Sequence, residues 1–78
     1  MNEVPLWRLR GLKPINCMVC STATGAFLVR LERGDEREIV WMHSSGTFAE
    51  AIEASALVRQ RLEERGWVLE WEASLQAA

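Results

Sequence analysis

Cys17-Met18-Val19-Cys20 has the C-x-x-C spacing of a redox pair or of half a zinc site. Redox pairs of this kind open a helix, whose N-terminus lowers the thiol pKa. Here Ile15 to Cys20 alternates as a strand, and positions three apart in a strand point to opposite faces. A structural zinc needs four ligands, and His43 is the only histidine in the chain. Cys17, Cys20 and His43 complete a metal set only if a dimer shares it. The expectation is two small buried thiols in a reducing compartment, with no metal and no cofactor. His43 lies beside Ser44, but no third group is placed to orient the pair, since Asp35 sits at the far hairpin. Ser44-Ser45-Gly46-Thr47 precedes a helix and could face an anion, yet it lacks the lysine and the glycines of a phosphate loop. No paired carboxylates or Gly-rich cofactor loop appear, so the chain is expected not to be an enzyme.

The elements that would position these residues have clear boundaries. Thr47-Phe48-Ala49-Glu50 reads as a capping box, with the Thr47 hydroxyl accepting from the Glu50 N–H and the Glu50 carboxylate reaching back to the Thr47 N–H. Gly66 suits the left-handed residue after a helix, with Trp67 and Leu62 as the apolar pair of a Schellman motif. The spacing predicts a helix over 47–66, with apolar residues at 48, 51, 52, 58 and 62. Strands are predicted over 15–20, 26–33, 37–43 and 67–71. Residues 2–13, bracketed by Pro5 and Pro14, read as an N-terminal arm or edge strand.

The fold class is α+β, a two-layer β-β-β-α-β unit with one helix on one face of a four-stranded, mostly antiparallel sheet. Numbering the predicted strands in order, 3-2-1-4 is the preferred arrangement, with the last strand parallel to the first. Phe27, Val29, Leu31, Ile39, Trp41, Leu69 and Trp71 would face the helix. The opposite face has no second helix to cover it. It would carry Met18, Leu28, Val40, Met42 and Val68 beside Arg30, Glu32, Glu70 and Glu72, a mixed apolar patch suited to a protein partner or to a homodimer. The arm offers a different surface: Trp7, Arg8, Arg10 and Lys13 interleave an aromatic ring with cations, as single-stranded nucleic-acid binders do.

The 78 residues make a single domain, 1–78, close to the lower size limit for a self-sufficient core. The formal net charge of −2 argues against a protein devoted to wrapping nucleic acid. No apolar leader pattern and no run of about 20 apolar residues is present, so a cytoplasmic protein without membrane association is expected.

Gly46-Thr47-Phe48-Ala49-Glu50-Ala51 resembles the Thr-x-x-Glu-Ala helix entry of the small HicB-type antitoxins, although that family's Pro and Gly pair before the helix is absent. The resemblance implies a protein that binds a partner and neutralises it. From the residues themselves the leading expectation is a non-catalytic interaction module of bacterial or phage type. It would self-associate, or bind or inhibit a protein partner, through the open sheet face. Single-stranded nucleic-acid binding through the arm is the alternative.

Overall fold

The computed structural model describes residues 3–74. Its elements are β1 (Glu3–Arg10), β2 (Ile15–Ser21), β3 (Phe27–Arg33), β4 (Glu38–Ser45), α1 (Phe48–Glu64) and β5 (Val68–Glu72). The five strands form one sheet in the order β4-β3-β2-β1-β5. All four neighbouring pairs are antiparallel.

The α+β class and the single helix agree with the sequence reading, while the strand count and order need correcting. The N-terminal arm is not an edge. It is β1, inserted between β2 and β5 and paired on both sides. The other four strands keep their expected order, and β5 runs in the same direction as β2 without touching it. Pro5 is tolerated inside the sheet because it stands at a bulge between Pro5 and Trp7 and before the stretch that β5 pairs, Trp7 to Arg10.

That bulge has a second effect. It lets the consecutive residues Leu6 and Trp7 both be buried, which strict alternation forbids. They join Leu9, Ile15, Cys17, Val19, Val29, Leu31 and Ala51 in the core, with Trp41, Ile52, Val58, Leu62, Trp67 and Leu69 packed against it.

Two more bulges re-aim side chains. The register of β5 shifts between Trp71 and Leu69, so Trp71 stands opposite Arg8 on the open face and not over the helix. The register of β4 shifts between Trp41 and Ile39, so Ile39 stands opposite Glu32 on the open face, and Val40 is the extra residue. Trp71 and Ile39 are accordingly about half exposed.

The helix ends follow their signals closely. Thr47 Oγ1 accepts from the Glu50 N–H at 3.1 Å. Glu50 closes the box one residue further back than expected, accepting from the Gly46 N–H at 3.3 Å. At the other end the Trp67 N–H donates to the Leu62 carbonyl and the Gly66 N–H to that of Glu63, with Gly66 at φ 102°. This is the Schellman pattern, and it leads directly into β5.

Trp67 then lies over Gly11 in the β1–β2 turn. A Cβ added at Gly11 would come within 2.7 and 2.8 Å of two Trp67 ring carbons, and closer still to a third. Gly11→Ala is expected to lower stability by about 1–3 kcal/mol through overpacking. Urea denaturation followed by circular dichroism would measure it; an unchanged midpoint would mean that the indole swings aside without cost.

Candidate functional site: the open face of the sheet

The face turned away from α1 is organised in rungs across the strands. One rung runs Trp71, Arg8, Asn16, Glu32, Ile39 through all five strands. The next runs Pro5, Met18, Arg30, Met42. A third carries Glu3, Cys20, Leu28 and Ser44, and Val68 stands opposite Arg10 at the β5 side. The charges stand on β1 (Glu3, Arg8) and β3 (Arg30, Glu32), on either side of Asn16, Met18 and Cys20 of the central β2, and Trp71, Ile39 and Met42 lie on the outer strands.

The charges are tied to one another. Glu32, only 5% exposed, accepts from Arg30 Nε at 2.7 Å and from Arg37 Nε at 2.8 Å. Glu3 accepts from Arg30 and Arg37 as well. Arg37 reaches this position from a left-handed backbone, φ 57°, at the β3–β4 turn. A non-glycine residue in that region is uncommon, and its two carboxylate partners hold it there. Hydrogen bonds from Arg37 and then Arg30 hold the Glu32 carboxyl below its ordinary pKa of 4.5, against the opposing effect of burial. Arg30 does the same for Glu3. Arg8 Nε donates to Glu70 at 2.7 Å. Among these residues a shallow depression of about 450 Å³ is lined by Glu3, Arg8, Asn16, Met18, Glu32 and Arg37.

Glu3 and Glu32 are each paired with both Arg30 and Arg37, and these guanidinium groups favour the ionised carboxylates. The arrangement displays a fixed pattern of charge interleaved with apolar side chains.

No family model, no curated protein and no solved structure matches this chain. Function therefore rests on the residues. Of those expected on the open face, Met18, Leu28, Arg30, Met42, Val68 and Glu70 are brought together there, while Val40 sits at the β4 bulge. The sequence reading missed Glu3 and Arg37 as members of this face, and it had put Ile39 and Trp71 on the other. Alternation placed Glu32 correctly, while Glu72 stands opposite Trp7 on the helix face and accepts from Arg59. The positive φ of Arg37 and the three bulges leave no sequence signal.

The residues of the nucleic-acid alternative do not form one surface. Trp7 is 3% exposed, buried in the core, so its ring is not available to stack on a base. Arg8 is paired with Glu70, and only Arg10 and Lys13 remain exposed and without an ion-pair partner among the described residues.

Cys17, Cys20 and His43 are likewise dispersed. Cys17 lies in the core, Cys20 on the open side opposite Leu28, and His43 stacks on Trp41 at the sheet margin. Among the described residues no three His, Cys, Asp or Glu side chains are grouped to hold a metal ion. Burial pushes the Cys17 thiol up to about 12, so it stays protonated and is a poor nucleophile. Among the described residues no helix is long and apolar enough to cross a membrane.

Proposed function

We propose that this protein is a non-catalytic interaction module that binds a protein partner through the open sheet face. The observation that carries the reading is the two central rungs, Trp71-Arg8-Asn16-Glu32-Ile39 and Pro5-Met18-Arg30-Met42. Interfaces place aromatic, methionine and arginine side chains where a partner can desolvate them, and these are the types present here. Partner neutralisation, of the kind that the HicB-type resemblance implies, is one form of the same role.

Leu28→Asp combined with Val68→Asp tests it. Both side chains lie on the open face, and Val68 is about half exposed. Proximity cross-linking and mass spectrometry in cells that make the protein should recover a partner with the wild type and lose it with the variant, while thermal unfolding stays the same. Recovery of the same set by both chains would end this proposal.

A further inference from the structure

The sheet has two edges, and they differ. The β5 edge is five residues long, carries Glu70 and Glu72, and contains a bulge. Those are the devices by which sheets discourage further pairing. The β4 edge is eight residues long. After Glu38 its sequence is Ile39-Val40-Trp41-Met42-His43-Ser44-Ser45, with no lysine, arginine, acid, proline or glycine. Ile39, Val40 and Met42 are 52, 40 and 53% exposed. The one protective feature, the bulge at Val40, lies toward the start of the strand and leaves Trp41 to Ser45 in regular register with β3.

An open strand edge presents unpaired backbone donors and acceptors, which a second extended strand can satisfy. We propose that the occupant of this edge is a second copy of the same chain, with β4 pairing antiparallel to β4 of its partner. Self-pairing is favoured by the charge of the segment, which after Glu38 has no acid, lysine or arginine to be set against its own copy. Side chains opposed across an antiparallel pair must point to the same face, and a two-fold axis through Met42 meets that condition. It sets Met42 against Met42 of the partner subunit on the open face, and Trp41 against the partner's His43 on the helix face. The two Met42 side chains then meet across the axis, and no like charges are opposed within the regular run. Pairing of β4 with the β5 edge of another copy would build an open-ended fibre, and the Glu70 and Glu72 carboxylates and the bulge there disfavour it. The closed dimer is a continuous ten-stranded sheet, twice the five strands of one chain, with both open faces on one side. The contact of one strand pair is smaller than a standard interface of roughly 1,600 Å², so the dimer is concentration-dependent.

The proposal goes beyond the partner-binding face and is tested separately from it. Light scattering with size exclusion over a dilution series should show the mass moving between 8.9 kDa and twice that value. Met42→Lys should raise the dissociation constant by roughly 100-fold, since like charges set face to face cost several kcal/mol, and should leave thermal unfolding unchanged in solutions dilute enough for the wild type to be monomeric.

Met42→Cys, oxidised with diamide, should form an intermolecular disulfide, because directly opposed antiparallel residues are spaced for one. Trp71→Cys, on the far edge, should not. Hydrogen exchange at those amides of Trp41–Ser45 that point away from β3 should slow as concentration rises. That result separates edge pairing from stacking of two open faces, which would leave the edge amides exchanging at the monomer rate. A monomer at every concentration up to millimolar, or a dimer with unprotected β4 amides, overturns the proposal. The Leu28→Asp and Val68→Asp variant should still dimerise, so losing the partner and losing the dimer are distinguishable outcomes.

Discussion

Trp7→Ala is expected to bring this protein to the edge of unfolding at 25 °C. Trp7 is 3% exposed and sits between Cys17 of β2 and Glu72 of β5, at the point where the sheet is paired on both sides. Truncating a buried tryptophan to alanine costs about 3–5 kcal/mol, through lost transfer energy and the cavity left behind. A domain of this size holds only a few kcal/mol more than that, since it buries a smaller fraction of its surface on folding than a larger domain does. Trp7→Phe separates size from polarity. The Trp7 Nε1 donor is buried without a hydrogen-bond partner among the described residues, and leaving such a donor unpaired costs about 1–3 kcal/mol. Phenylalanine removes that donor and keeps most of the ring, so the net loss should be under about 1.5 kcal/mol. Urea unfolding followed by far-ultraviolet circular dichroism reads both. A wild-type midpoint for Trp7→Ala would show that the ring is not part of the core, and would reopen it as a surface for nucleic-acid bases.

The two ends of α1 were legible because each is set by local chemistry. Thr47, Glu50 and Gly66 act within a few residues of themselves, and their hydrogen bonds form at or next to the expected positions. The strands over residues 15–45 were legible from alternation, and their order survived. What the pattern could not carry was the place of the arm. Pro5 and Pro14 suggested an edge, but a proline at a bulge loses no ladder bond, and the rest of β1 is free to pair on both sides.

The bulges also limited how much of the candidate site could be read. A single extra residue reverses the facing of everything beyond it, which moved Trp71 and Ile39 onto the open face. Met18, Leu28, Arg30 and Met42 lie in stretches without such an insertion, and these were placed correctly. The Glu3–Arg30–Glu32–Arg37 cluster depends on a contact between β1 and β3 across β2 and on a left-handed residue in a turn. Neither leaves a mark on a strand pattern.

That cluster gives the other large expected effect. Arg30→Met should destabilise the fold by about 1.5–3 kcal/mol, the range for hydrogen bonds to charged groups. It strips from the buried Glu32 one of its two guanidinium partners and from Glu3 the nearer of its own. The loss stays below the full cost of an unpaired buried charge because Arg37 still reaches Glu32.

Acid should narrow the difference. Glu32 and Glu3 have folded pKa values below 4.5, so their contribution is present above about pH 4.5 and is lost as pH falls through the lowered folded values. Arg30 supplies part of that lowering, so the variant has less to lose. Stability curves of the two proteins should therefore converge on acidification, with the wild type falling more steeply below pH 4.5. Adding Glu32→Leu to Arg30→Met should recover part of the loss, since replacing both members of a buried pair by apolar groups of similar size is often close to neutral. Denaturant titrations at pH 7 and at stepped acid pH, on the single and double variants, measure each part. Parallel curves at all pH values would mean that Arg30 contributes by packing alone and that the open face is not held in place by its charges.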